Sequence, residues 1–199
     1  DSLGRRARVL LLLGEVEGAR GNLDAALARY KEAAATTEEL LRRDPDNQQR
    51  IFDHAQSVYW VGDIAWKRGD VTLTTTQWTQ YRDYGARLVE LDPDRDEWRT
   101  ELGYGHRNLG VLAFTEGEAS DAVEAFSRAR DVSKALSERH PDDANLQIVF
   151  ADDLIWLASA QERAGAFAKA EETLIAESAI SGALLAKDPE NDMALQRQS

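Results

Sequence analysis

The stretch Trp66-Lys67-Arg68-Gly69-Asp70, followed 24 residues beyond its glycine by Leu91-Asp92-Pro93-Asp94, brackets an apolar-periodic segment with a helix stop at each end. Glycine ends a helix in the left-handed conformation without Cβ strain, and proline cannot continue one. Working outward, the glycine recurs as Gly21, Gly117 and Gly165 and the proline as Pro45, Pro141 and Pro189, both series at intervals of 48 residues. Two independent punctuation marks keeping one period identify a repeat array, in which a supersecondary unit is copied and each copy buries its apolar face on its neighbours.

Between each proline and the next glycine, and again between each glycine and the next proline, lies a stretch of roughly 20 residues with helical periodicity. Each unit therefore reads as a helix hairpin, helix A before the glycine and helix B after it. Gly21-Asn22 and Gly69-Asp70 supply the A-to-B turn. Asp44-Pro45-Asp46-Asn47 and Asp92-Pro93-Asp94-Arg95 supply the B-to-A turn, where a carboxylate is placed to cap the next helix. The expected organisation is a single array over 1–199: repeat one at 1–44, repeat two at 45–92, repeat three at 93–140, repeat four at 141–188, and 189–199 as the start of a further repeat or a capping stub. The chain starts part-way through a unit and stops just after Asp188-Pro189-Glu190-Asn191, as a piece of a longer protein would.

Composition narrows the function. Of 199 residues, 43% are hydrophobic and 30% charged, a globular balance. With 24 Lys and Arg against 36 Asp and Glu the net charge is -12, which repels a phosphate backbone or an anionic bilayer surface, so neither nucleic acid nor membrane is an expected partner. No apolar run approaches the roughly 18 to 20 residues that cross a bilayer, and the N-terminus lacks a signal-peptide layout. The absence of cysteine excludes disulfides and thiolate chemistry and leaves the compartment open, with the cytoplasm as the default expectation.

Aligned on the turn glycines, repeat one reads Leu10-x2-Leu13-Gly14 in helix A and Ala26-x3-Tyr30-x2-Ala33 in helix B; repeat three reads His106-x2-Leu109-Gly110 and Ala122-x3-Phe126-x2-Ala129. This resembles the tetratricopeptide repeat (TPR), whose pattern places small residues where the helices cross and an aromatic four residues after the first helix B alanine. The resemblance covers essentially the whole chain. It implies an all-α fold: a right-handed superhelical solenoid of antiparallel helix hairpins, with about four repeats plus a C-terminal stub. The family period is about 34 residues, so each unit here carries about seven extra residues per helix, two turns or ~10 Å, which preserves the facing of the apolar stripe. Arrays lengthened in this way are similar to those appended to large bacterial signalling proteins. Repeat two departs from the pattern with Thr74, Trp78 and Tyr81, and repeat four with Ala158 and Glu177. The run Thr72, Thr74, Thr75, Thr76 and Thr79, with Gly85 behind it, makes helix B of repeat two the expected least stable element.

Catalytic and metal chemistry finds no foothold. His54, His106 and His140 fall at three different places in the repeat frame, and no two have the i, i+4 spacing of a helical metal site. Asp92, Asp94 and Asp96 alternate as a calcium loop begins, but Glu97 and Gly103 stand where that loop needs its glycine and its distal glutamate. No phosphate-cradling loop, nucleophile elbow or His-Glu metal motif occurs. The expectation is a protein that is not an enzyme and takes no cofactor or metal.

In the TPR family helix A lines the concave side and offers four positions per repeat to a bound peptide. The resemblance carries these onto Arg8, Leu11, Glu15 and Gly18; Gln56, Tyr59, Asp63 and Trp66; Tyr104, Arg107, Val111 and Phe114; and Asp152, Ile155, Ser159 and Glu162. Leu11, Glu15, Tyr59 and Asp63 replace the lysine, asparagine and arginine by which some members grip a C-terminal carboxylate. The expected partner-binding residues are Tyr59, Asp63, Trp66, Tyr104, Arg107, Val111, Phe114 and Ile155: aromatics for apolar side chains of a protein or peptide partner, Arg107 and Asp63 for orienting charge. Trp60, Trp156 and Trp98 are expected to pack. The implied function is a non-catalytic scaffold holding a peptide or helix of a partner along the helix A face. The alternative is an assembly or regulatory region of a larger multidomain protein, acting by homo-oligomerisation or intramolecular docking through end repeats near Leu184 and Leu185.

Overall fold

A computed structural model describes residues 2–187. Among them are eight α-helices and no strand: α1 (Ser2–Ala19), α2 (Leu23–Arg43), α3 (Gln48–Lys67), α4 (Val71–Leu91), α5 (Asp96–Glu116), α6 (Ala119–Arg139), α7 (Ala144–Arg163) and α8 (Phe167–Lys187). The expected stub at 189–199 lies outside the described residues.

Each A-to-B turn is built the same way. Gly21, Gly69, Gly117 and Gly165 take φ of 79°, 74°, 82° and 76°, and they are the residues with positive φ among those described. At the first turn Asn22 N–H donates to the Glu17 carbonyl (2.9 Å) and Gly21 N–H to that of Gly18 (3.0 Å); at the third, Glu118 N–H reaches Ala113 (2.9 Å) and Gly117 N–H reaches Phe114 (3.3 Å). These paired bonds satisfy the orphan carbonyls of the helix end and explain why glycine punctuates the chain. Two of the B-to-A turns cap the next helix with a side chain, one of them with the expected carboxylate. The Asn47 side chain accepts from Arg50 N–H to start α3, whereas Asp143 accepts from Asn145 and Leu146 N–H to start α7.

The helix A glycines are where the two helices of a hairpin touch. A Cβ on Gly14 would lie 2.6 Å from the Tyr30 ring, on Gly62 2.5 Å from Trp78, and on Gly110 2.7 Å from Phe126. Each aromatic fills the space that a missing methyl leaves. The fourth hairpin has Ala158 at the glycine's place and Leu174 at the aromatic's, so the methyl is restored where the ring is gone. In α4 the hydroxyls of Thr74, Thr75 and Thr76 donate to the carbonyls of Asp70, Val71 and Thr72 (2.8, 2.8 and 2.9 Å), and the helix runs unbroken through the threonine run.

Among the described residues the chain divides between Trp98 and Arg99 into two compact units. In the first, α2 lays Leu27 and Tyr30 against Val61 and Ile64 of α3, and Trp60 stacks on Tyr30 at 5.7 Å and 15°. A second cluster of Leu41, Ile51 and Leu88 surrounds Trp98, whose indole N–H donates to Gln48 (3.1 Å). In the second unit Phe126 of α6 packs with Leu157 and Ala160 of α7, and Trp156 stacks on it at 5.5 Å and 18°. All three tryptophans expected to pack do so. Leu184 is buried against Ile148 inside the second unit.

Candidate partner-binding face

The helix A residues expected to face a partner divide into packed and open ones. In the first unit Tyr59 is half-buried, edge-on to Trp60 (5.1 Å) and tilted against Tyr81 (5.2 Å). Asp63 is buried and holds Lys67 at 2.7 Å. Trp66 is exposed and leans on Trp78 at 5.6 Å. Burial raises the Tyr59 phenol above its ordinary value, helped by the charge of Asp63. The Tyr30 phenol is pushed up to about 12, by burial first and then by the carboxylates of Glu15 and Asp63.

In the second unit Tyr104 is exposed, with the Arg107 guanidinium 5.5 Å from its ring centre. Arg107 donates from Nε to Asp153 at 2.7 Å and from Nη2 toward the Val149 carbonyl at 3.5 Å. The Asp153 side chain is buried and that of Arg107 is mostly so. Burial works against the guanidinium's charge, but the hydrogen bond and charge of Asp153 outweigh it and hold the group above its ordinary value. Val111 and Phe114 pack on the Phe126–Leu157 cluster. Phe114 also lies edge-on to Trp156 (6.1 Å) beneath the Arg163 guanidinium (4.0 Å). Ile155 is half-buried.

Each unit also carries a recess at the same place. In the first it has a volume of about 380 Å³ and is lined from α1 by Gly4, Ala7, Arg8 and Leu11, from α2 by Leu40 and from α3 by Gln49 and Gln56, among others. In the second it has about 160 Å³ and is lined from α5 by Thr100, Gly103, Tyr104 and Arg107, from α6 by Leu136 and from α7 by Asn145 and Asp153. Gly4, Ala7, Arg8, Leu11, Leu40 and Gln49 correspond to Thr100, Gly103, Tyr104, Arg107, Leu136 and Asn145 at a constant offset of 96 residues. Of the eight expected site residues, Tyr104 and Arg107 line a recess. The other six sit elsewhere on the helix A faces, with Tyr59, Trp66 and Phe114 in aromatic packing.

Asp153 escaped the sequence reading, which named its neighbour Asp152. A signal for it existed. Arg107 stands in the repeat frame where Leu11, Tyr59 and Ile155 stand, and Asp153 where Val9, Ser57 and Gly105 stand. Two anomalous charges of opposite sign at neighbouring helix A positions announce a pair. Among the described residues no group of three or more His, Asp or Glu could hold a metal ion, and no helix is long and apolar enough to cross a membrane.

No family model matches the chain, and no curated protein sequence matches it. Solved structures do. BtubC (BKLC) from P. vanneervenii is 20% identical at a TM-score of 0.63 over 89% of this chain and 64% of its own. The apo form of RapI is 15% identical at a TM-score of 0.65 over 96% of this chain and 51% of its own. This chain thus spans between half and two thirds of those two. TTC0263, a TPR protein of Thermus thermophilus, matches at a TM-score of 0.34 with 18% identity over 96% and 97%, a likeness too distant to weigh. At these identities the likeness concerns the fold, which is an all-α, TPR-like helical repeat.

Proposed function

We propose that this chain is a non-catalytic protein-interaction scaffold that holds a segment of a partner protein, an extended peptide or a helix, along its helix A faces. The observation that carries this reading is the pair of recesses at equivalent positions in the two units, each opening among helix A side chains that the TPR resemblance assigns to peptide contact: Arg8, Leu11 and Gln56 in one, Tyr104 and Arg107 in the other. The smaller recess, about 160 Å³, compares with the ~150 Å³ apolar cavity that accepts a benzene molecule, so it suits a single aromatic or aliphatic side chain. The net charge of -12 favours a partner segment that carries basic residues between its apolar anchors.

The test is selection of binders from a random peptide library on the 199-residue chain, with affinities then compared for the wild type, Gly4→Leu and Tyr104→Ala. A Cβ at Gly4 meets nothing within 4 Å, so Gly4→Leu fills the first recess without a clash. The expected outcome is enriched peptides with apolar and basic residues whose affinity falls at least about tenfold, ~1.4 kcal/mol, in one of the variants. Peptides that bind both variants as they bind the wild type would rule the recesses out.

A further inference from the structure

The two recesses are equivalent in the repeat frame and differ in what borders them. The second holds a buried ion pair, Arg107 with Asp153, at places that Leu11 and Ser57 occupy 96 residues earlier. Most of its wall is apolar, from Val132 and Leu136 of α6 and Leu146 and Val149 of α7. Gly103 leaves the space beside Val132 open, since a Cβ there would stand 3.2 Å from that side chain. Asp153, 1% exposed, accepts through Oδ1 from Arg107 Nε (2.7 Å), and Arg107 Nη2 turns toward the Val149 carbonyl (3.5 Å). Among the described residues, Asp153 Oδ2 and Arg107 Nη1 engage in no hydrogen bond. Leaving such groups without a partner in a buried place is costly, and a buried ion pair adds little stability over apolar side chains in its place. Both side chains line the recess, so a molecule seated there is a partner within their reach.

We propose that the second recess is a tyrosine pocket: the ring of a partner's tyrosine fills the apolar space, and its hydroxyl donates to Asp153 Oδ2 while accepting from Arg107 Nη1. The inference rests on the reading of the recess as the seat of a partner side chain, and it names that side chain. Charge comes first. A carboxylate entering the recess would face Asp153 and an ammonium would face Arg107, so a group of either sign is opposed by one member of the pair and the complement is neutral. That neutral group must both donate and accept, because the pair leaves over one acceptor and one donor. Size and wall come next. A volume of about 160 Å³ lined mostly by aliphatic side chains admits one six-membered ring. The phenol of tyrosine joins such a ring to a hydroxyl that donates and accepts at once, whereas the indole N–H of tryptophan only donates and phenylalanine and leucine do neither. A site built to bond a hydroxyl turns away the analogue that lacks it, because its own buried polar groups are then left unpaired. The first recess, with Leu11 and Ser57 at the places of the pair, has no such requirement.

The experiment titrates the 199-residue chain with N-acetyl-tyrosinamide and with N-acetyl-phenylalaninamide, which differ by the one hydroxyl. Proton–nitrogen correlation NMR follows the backbone amides of Gly103 and Ala7, which line the second and the first recess. Gly103 should report a dissociation constant at least about tenfold lower for the tyrosinamide, as hydrogen bonds to charged groups warrant, and Ala7 should report no preference. The Arg107 Nε–H signal should move with the tyrosinamide and stay in place with its analogue. Asp153→Asn keeps an oxygen for Arg107 but puts a donor where Oδ2 accepted. In that variant the preference at Gly103 should shrink to less than about threefold while the phenylalaninamide binds as before, which also shows the recess intact. Should the variant not fold, the Nε–H signal of the wild type carries the test. Equal constants at Gly103 for the two amides, no binding there up to the solubility limit, the same preference at Ala7, or a preference that survives in folded Asp153→Asn would each overturn the proposal. The scaffold reading fails separately. Library peptides that lose affinity in Tyr104→Ala uphold it even where the two amides bind equally, and a selective tyrosinamide site at Gly103 upholds the pocket even where the library yields no binder.

Discussion

Replacing Gly110 by alanine is expected to destabilise the second unit, although alanine is the better helix former. The new Cβ would lie 2.7 Å from two carbons of the Phe126 ring and 3.0 Å from a third, well inside ordinary carbon contact of about 3.5–4.0 Å. Phe126 cannot retreat: it is fully buried, with Trp156 stacked 5.5 Å behind it. Overpacking of this kind costs about 1–3 kcal/mol, against which the helix propensity of alanine over glycine returns about 1 kcal/mol, for a net loss of up to about 2 kcal/mol. The fourth hairpin, with alanine at Ala158 and leucine at Leu174, supplies the compensation. Phe126→Leu alone removes a stacking partner and ring volume, a loss of about 1–2 kcal/mol. The double variant Gly110→Ala, Phe126→Leu should therefore be more stable than the sum of the single losses, with a coupling of at least ~1 kcal/mol. Urea unfolding followed by circular dichroism measures all three, with Gly182→Ala as the control, because a Cβ there meets nothing within 4 Å. Gly110→Ala raising the midpoint as the control does, or strict additivity of the pair, would refute the reasoning.

Other consequences follow from the same packing. Asp153→Ala, which leaves the Arg107 guanidinium largely buried without its carboxylate, should cost about 3 kcal/mol, while Arg107→Met with Asp153→Leu should recover most of it in the same unfolding assay. His54 is buried with Nδ1 3.0 Å from the Thr37 hydroxyl and edge-on to Tyr84 (5.0 Å); burial holds it below the ordinary 6.5, against the charge of Glu38, which pulls it up. Because the folded state favours the neutral ring, its contribution is complete above the unfolded value and is lost as pH falls below 6.5 and through the lower folded value, so a His54→Phe chain should show a shallower acid decline in unfolding midpoint. Gly117→Ala, at φ of 82°, should lose about 1–2 kcal/mol and Gly117→Asn less, read as shifts in melting temperature.

What could be read from the chain tracks the range of the interaction involved. Gly69 and its relatives announce themselves because a left-handed helix end is a requirement on one residue, and the hairpins follow from their spacing. The small residue against an aromatic in Gly14 and Tyr30, or Gly110 and Phe126, is legible because both partners hold constant places in the repeat frame. Tyr59 and Phe114 were less transparent. Their frame positions suit a ligand, but Tyr81, Trp156 and Arg163 use those rings for packing, and only neighbouring helices decide which edge of a ring remains open. The Arg107–Asp153 pair was missed because it joins residues 46 apart whose meeting depends on how α5 and α7 are rotated about their axes.

The sequence by itself determined the eight helices, their turns and the helix A face on which contacts were sought, since each rests on backbone requirements spanning a few residues and on a period repeated along the chain. The tertiary structure alone decided two things: the division into two units between Trp98 and Arg99, and the equivalent recesses in those units. Both depend on the azimuth of one helix against the next. The 3.6-residue period leaves that angle to the fit of side chains far apart in sequence, so no local pattern could specify it.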